Sequence, residues 1–248
     1  MKRNQGKVVS ERWAKKAETC RVIKSKFTDD KYIATPVQAK TEVQQEFLRA
    51  IKEYDVVVFI APAGVGKTHL TMSEISDWLK KGIYNKITLT RAVIPMGRSL
   101  GMLPSTLQQK FEPYLMPLLE VLWKRYGKSY YENCIGNGSI ELLAPEYARG
   151  RSVEGVLVID ECQSMMPDEL YTLLTRMQEG SKLICIGDPN QSDIKGTTGI
   201  SWLADFVEKN PALTKHIKVI HADSDDIVRG GLCKAMVKAR EKELKGSK

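Results

Sequence analysis

The sequence predicts an α/β fold in which a mostly parallel sheet carries helices on both faces and follows a basic N-terminal extension. Three observations lead there. Short, continuous runs of Val, Ile and Leu bounded by turn residues recur along the chain, the composition of strands buried on both faces. Amphipathic segments with helical spacing fall between them. The charge is uneven: the chain has a formal net charge of +8, and ten basic residues against four acidic ones lie before residue 36.

The strand-like runs are VVVFIA at 56–61, KITLT at 86–90, SIELLA at 139–144, GVLVID at 155–160, KLICIG at 182–187 and HIKVIHA at 216–222. After the first run, Ile75, Trp78 and Leu79 make one helical stripe that Gly82 can terminate. Ser105 and Gln108 stand at capping-box spacing, ahead of an apolar series of Leu107, Phe111, Leu115, Leu118 and Leu122. Pro113 and Pro117 are expected to bend or split that helix, since each lacks an N–H and crowds the preceding turn. Leu232, Ala235, Met236 and Ala239 read as the apolar stripe of a C-terminal helix. The one boundary falls between Ile33 and Thr41, which divides the chain into an extension, 1–35, and a single domain, 36–248.

The 248 residues suffice for one large core, and a composition of 42% hydrophobic and 27% charged residues is that of a soluble globular protein. No apolar run has the length of a membrane span and the N-terminus lacks the hydrophobic region of a secretory signal, so no membrane partner is expected. Cys20, Cys134, Cys162, Cys185 and Cys233 are scattered, without metal-ligand spacing, and read as reduced thiols. The expected location is cytoplasmic. The basic extension suits phosphate backbones or anionic surfaces; a solvated tail is the plainer reading.

The chemistry begins at Ala61-Pro62-Ala63-Gly64-Val65-Gly66-Lys67-Thr68, between the first strand and its helix. Small residues let backbone N–H groups converge on a phosphate, a lysine reaches the β and γ phosphates, and a hydroxyl ligates Mg²⁺. The helix expected to begin at Gly66, and to carry Lys67, Thr68 and His69, adds its positive dipole end. The run VLVIDECQ ends a strand in two carboxylates, Asp160 to hold the metal and Glu161 to orient and deprotonate the attacking water; helix capping is the alternative. One strand later, Gly187, Asp188 and Gln191 close another buried run, where a Gln can sense the γ-phosphate or the segment can be simply a turn. Gln44 is either an adenine reader, through N6 and N7, or a solvated helix residue.

With these residues in place the sequence resembles the PhoH family, P-loop ATPases with a RecA-like NTPase core similar to the first motor domain of superfamily 1 helicases. The resemblance runs from Thr41 to about Ala239 through TEVQQEFLRAI, APAGVGKTHL, the stretch TRAVIPMGRSLGMLPSTLQQKFEPYLMPLLEVL, then IELLAPEYARGRSVEGVLVIDECQ, LLTRMQEGSKLICIGDPNQSDI and DIVRGGLCKAMVKA. It departs from the family at Ala61, where Gly is usual, and at Cys162, inside the acidic motif. It implies ATP and Mg²⁺ as ligands, with Gln44 on the base, Lys67 and Thr68 on phosphate and metal, Asp160 and Glu161 on metal and water, and Gln191 on the γ-phosphate. It further implies Arg229 as an arginine finger, serving a neighbouring subunit in a head-to-tail ring, a hexamer by family analogy. Arg91, Arg149 and Arg151 stand near phosphate or nucleic acid, RNA before DNA, or else are surface ion pairs. A nucleotide-switched RNA-binding module with slow hydrolysis is the competing expectation. A small-molecule kinase is disfavoured by the acid pair.

Overall fold

The computed structural model describes residues 34–92, 107–145 and 151–246. All but the last two residues of the basic extension, the capping Ser105, and Arg149 lie outside these. The elements in chain order are α1 (Glu42–Glu53), β1 (Val56–Ile60), α2 (Lys67–Lys80), β2 (Ile87–Arg91), α3 (Leu107–Tyr126), α4 (Lys128–Gly136), β3 (Ile140–Leu142), β4 (Val156–Asp160), α5 (Pro167–Leu174), β5 (Lys182–Gly187), α6 (Gly199–Lys209), β6 (Ile217–His221) and α7 (Gly231–Gly246). Each of the six strands falls inside one expected run or within a residue of it. They form one sheet in the order β3-β2-β4-β5-β1-β6, with every pairing parallel.

The continuous apolar runs are explained by cover on both faces. Val57, Phe59, Leu89, Val158, Ile184 and Ile186 point to a core shared with α1 to α4, where Phe59 stacks on Phe47 of α1 at 4.5 Å. Val58, Leu157, Ile159, Leu183 and Cys185 point to the other face, under α5 and α6.

Two elements differ from expectation. Pro113 and Pro117 both sit inside α3, which runs unbroken from 107 to 126. A proline in a helix interior costs about 3 kcal/mol. Phe111, Leu115, Leu118 and Leu122 are all buried on that helix, and each contributes roughly 1.5–3 kcal/mol by leaving water, so packing outweighs the lost backbone bonds. The C-terminal stripe differs more. An apolar series at this spacing ordinarily faces a core. On α7, however, Cys233 and Val237 are the residues that pack against the main core, while Leu232 and Met236 stand 79% and 64% exposed.

The sheet order determines where the chemistry can gather. After β1 the chain crosses to β2, leaving a gap that β4 and β5 later fill, and ligands in open parallel sheets bind beyond the strand ends at such a crossover. The carboxyl ends of β2, β4, β5 and β1 therefore lie side by side: Arg91 pairs in register with Asp160, and Ile60 with Gly187. Among the described residues no helix is long and apolar enough to cross a membrane.

A candidate nucleotide-binding site

The loop after β1 is built around two glycines in the left-handed region, Gly64 at φ 89° and Gly66 at φ 93°. Gly66 is the N-cap of α2, so the helix begins at Lys67, one residue later than expected, and its free N–H groups face the loop. At Gly64 a side chain would also collide. A Cβ there would lie 3.0 Å from Cys233 Sγ and from Ile227 Cγ2, and 3.1 Å from Arg229 Cβ. The segment 227–233 is thus packed on the loop, and the Val228 N–H donates to Gly64 O at 3.1 Å.

Beside this loop lies a cavity of about 630 Å³. It brings together Gln44, Gly64, Gly66, Lys67, Thr68, His69, Asp160, Glu161, Asp188, Gln191 and Arg229. Ala63 lines it too, whereas Ala61 and Val65 are buried and Pro62 lines the cleft on the other side of the loop. Lys40, from the turn before α1, and Lys124, from α3, add positive charge to the wall and were not singled out by motif. Partial burial, then the charges of Arg125, Lys40 and Lys124, holds the His69 imidazole below its ordinary pKa. A second cleft of about 640 Å³ opens on the other side of the loop, but Asp188, Asp205, Asp223 and Glu241 line it. The first cavity also has four carboxylates in its wall, but it sets Lys40, Lys67, Lys124 and Arg229 against them whereas the second has no Lys or Arg, so the first is the one suited to a polyphosphate.

Lys67 folds back on the loop, its ammonium donating to the carbonyls of Ala61 and, at 3.0 Å, Pro62. Burial lowers its pKa, and Asp188, Glu161 and Asp160 oppose that shift. Asp160 is nearly fully buried at the end of β4. Burial, then the neighbouring charge of Glu161, pushes its pKa up to about 6, against the pull of Arg91 and Lys67. A buried carboxylate, Asp160, and a threonine hydroxyl, Thr68, lining one cavity fit Mg²⁺, which takes few protein oxygens and shares the rest of its shell with phosphates and water. Among the described residues no cluster of three or more His, Cys, Asp or Glu could hold an ion by itself.

Glu161 has φ 53°, the one non-glycine positive φ among the described residues. Such a conformation costs about 1–3 kcal/mol and persists only where surrounding contacts over-determine it. Here they do. Arg91 Nη2 donates to Glu161 Oε1 at 3.0 Å, and Gln163 Nε2 donates to Glu161 Oε2 at 2.6 Å. Arg91 also lies 3.9 Å from Asp160 Oδ2 and donates to Tyr114 O at 2.9 Å.

Gln163 was missed by sequence reasoning. It is 2% exposed, and its Oε1 accepts from the Asp188 N–H at 3.0 Å while its backbone O accepts from Ser192 Oγ at 3.0 Å. One amide thus joins the acid pair to the 188–192 segment. A Cβ at residue 187 would lie 2.5 Å from that Oε1, which is why Gly ends β5. Replacing Gln163 by Leu orphans a buried N–H, a loss of about 1–3 kcal/mol. For a chain of this size the expected result is a melting temperature lower by roughly 2–12 °C, read by calorimetry. Gln191 donates from Nε2 to Asp188 Oδ2 at 2.7 Å and lines the cavity.

Gln44 is buried rather than solvated. Thr41 caps α1 by accepting from the Gln44 N–H, and the Gln44 amide donates to Val65 O at 2.7 Å and accepts from the Lys40 N–H at 2.6 Å. One donor and one lone pair remain on the amide, the complement of adenine N7 and N6.

The arginines separate. Arg151 is exposed and donates to Glu141 Oε1 at 2.6 Å, a surface ion pair at β3. Arg149 lies outside the described residues. Arg229 lines the cavity of its own chain, against its own Gly64. The packing of 227–233 on the loop holds it there.

Comparison with known proteins agrees with this geometry. The large terminase of bacteriophage HK97 superposes with a TM-score of 0.52 at 15% identity, over 87% of this chain and 50% of that one. The large terminase of a thermophilic bacteriophage does so at 0.50 and 11%, over 83% and 50%. These likenesses show the fold, an α/β RecA-like P-loop NTPase fold. A PhoH-like protein of Bacillus subtilis is 38% identical over 209 residues, 84% of this chain and 65% of its own length. Protein PhoH of Escherichia coli K12 is 30% identical over 209 residues, 83% and 58%. The chain thus spans less than two thirds of the length of these relatives. A family model described as PhoH-like protein matches residues 36–241, the whole span from the Gln44 turn through the loop, the acid pair and Arg229. The chain belongs to the PhoH family.

Proposed function

We propose that the chain is a Mg²⁺-dependent ATPase whose turnover is coupled to nucleic acid, single-stranded RNA foremost. The observation that carries this reading is the convergence, in one cavity, of a phosphate loop, an acid pair and a sensor glutamine from three adjacent strand ends. The loop N–H groups and Lys67 hold the phosphates, with Lys67 leaving the carbonyls of Ala61 and Pro62 to do so. Thr68 and Asp160 would hold the metal, which would supply positive charge to neutralise the phosphate oxygens. Glu161 orients the water and takes its proton. Gln191 senses the γ-phosphate through its amide, and Gln163 passes the change between the acid pair and residues 188–192. Arg229 reaches the phosphates of its own chain.

Nucleic acid enters through Arg91. Its guanidinium donates to one oxygen of Glu161, and a phosphodiester competing for that guanidinium releases the carboxylate to the water. The basic extension, with charge of the right sign, raises the local concentration of such a polyanion.

The test is ATP turnover across a panel of single- and double-stranded RNA and DNA at two salt concentrations, alongside nucleotide affinity. The expected result is stimulation that single-stranded RNA produces best and salt suppresses. Lys67→Ala is expected to bind ATP about a hundredfold more weakly, the loss of charged hydrogen bonds to two phosphates. An affinity unchanged by Lys67→Ala overturns the assignment of the cavity. Turnover indifferent to every nucleic acid overturns the coupling alone.

A further inference from the structure

The cavity beside the phosphate loop is divided by charge. Three of its four carboxylates, Asp160, Glu161 and Asp188, act on Lys67, at the end where the metal and the γ-phosphate belong. The charges that act on His69, two residues along α2, are instead those of Arg125, Lys40 and Lys124. This second end is the one nearest the base. The Lys40 N–H donates to Gln44 Oε1 at 2.6 Å, and a Cβ at Gly66 would lie 3.4 Å from Gln44 Nε2. A triphosphate laid on the loop with its base at Gln44 brings its ribose here, beyond the phosphates that Lys67 and Arg229 serve.

The groups at that end are uncommitted. Lys40 and His69 are exposed, and neither side chain makes a hydrogen bond or ion pair among the described residues. Lys124, whose side chain is 78% exposed, meets only Glu120, at 3.4 Å, the fourth carboxylate of the wall. Arg125 is engaged elsewhere, with Thr35 O at 2.9 Å and with Asp77. An unmodified ribose presents neutral hydroxyls, which leave two ammonium groups from different elements with little to neutralise. A phosphate at that place supplies the missing charge, and lysine binds phosphate as a point charge without strict geometry.

We propose that Lys40 and Lys124, with His69 as a further hydrogen-bond donor, take a phosphate esterified to a ribose oxygen of the bound adenine nucleotide. The inference rests on the reading of this cavity as an ATP site and extends it to the class of ligand. Two sources share that chemistry: a free nucleotide phosphorylated on its ribose, and the 5′-triphosphorylated end of an RNA, whose first ribose carries the next phosphodiester on its 3′ oxygen. Positive charge continues outward from the subsite. The chain that leads to Lys40 comes directly from the basic extension, and Arg125, next to Lys124, holds it at Thr35.

Equilibrium competition against a fluorescent ATP analogue, on the full-length chain with Mg²⁺ at low salt, tests it. ATP is compared with ATP phosphorylated at the 3′ oxygen and at the 2′ oxygen, and a 5′-triphosphorylated oligoadenylate with the same oligomer bearing a 5′ hydroxyl. One isomer is expected to bind about tenfold more tightly than ATP, about threefold for each partly exposed lysine. Lys40→Gln and Lys124→Gln are each expected to cut that preference to about threefold, and the double variant to abolish it. Lys215→Gln, the same loss of charge at an exposed position outside the cavity, is expected to keep it. Each preference is a ratio measured on one variant, so a change in ATP affinity itself cancels. Two isomers that bind no more tightly than ATP, or a preference that survives the double variant, overturn the subsite and leave the nucleotide site standing. Absence of ATP binding overturns the reading of the cavity and the subsite with it. Displacement of the analogue by the triphosphorylated oligomer, and not by its 5′-hydroxyl form, supports the subsite with an RNA end as its source. A preferred free nucleotide beside an inert oligomer supports it with the free nucleotide as its source.

Discussion

Glu161→Gln is expected to bind ATP as tightly as the native chain and to hydrolyse it about a thousandfold more slowly, the middle of the range for removing a general base. The two side chains have the same shape. The glutamine oxygen can still accept from Arg91 Nη2, which lies 3.0 Å from Oε1, so the strained turn at φ 53° keeps one of its two restraints. The other, from Gln163 Nε2 at 2.6 Å, becomes amide facing amide, and the Gln163 side chain is too tightly held by the Asp188 N–H to turn away. A small loss of stability is therefore expected beside the large loss of turnover. What disappears is the proton acceptor, whereas the phosphate loop, Lys67 and Asp160 are untouched. Single-turnover hydrolysis and equilibrium binding of a fluorescent ATP analogue separate the two effects. Native turnover in this variant would remove Glu161 from the chemistry and leave Asp160 as the carboxylate to examine.

The strands and the phosphate loop were legible in the sequence because their physics is local. A strand covered on both faces must be apolar at successive positions, and a loop that wraps phosphate must have small residues at fixed offsets, as at Gly64 and Gly66. The rest depended on distance through space. Lys40 and Lys124 reach the cavity from segments remote from the phosphate loop in sequence, and nothing in their own neighbourhoods marks them. Gln163 reads as one more polar residue in a turn until the sheet order brings Asp188 beside it. The α7 stripe was legible as a stripe, but periodicity reports that a helix has an apolar face and not what covers it. Both prolines of α3 were read from backbone cost alone, without the buried side chains that offset it.

Arg229→Ala is expected to lower turnover by about 10³-fold, the lower end for an arginine that stabilises charge on a transferring phosphoryl group. The question it decides is which copy's phosphate the arginine serves. Arg229 packs against Gly64 of its own chain, its segment tied to the loop by the Val228 N–H, and it lines the same cavity as Lys67 and Gln191. Action within the chain therefore predicts that Arg229-dependent turnover per site is the same at every protein concentration. It also predicts the outcome of mixing Arg229→Ala with Lys67→Ala. Each variant lacks a different part of the site, and if the arginine worked across a contact, an intact Arg229 on the Lys67→Ala copy would complete the cleft of the Arg229→Ala copy. Served from within, no cleft in the mixture is whole and turnover remains at the level of the two variants measured apart. Recovery on mixing would assign the arginine to the neighbouring copy, and it would require residues 227–233 to leave the loop at Gly64 when two copies meet.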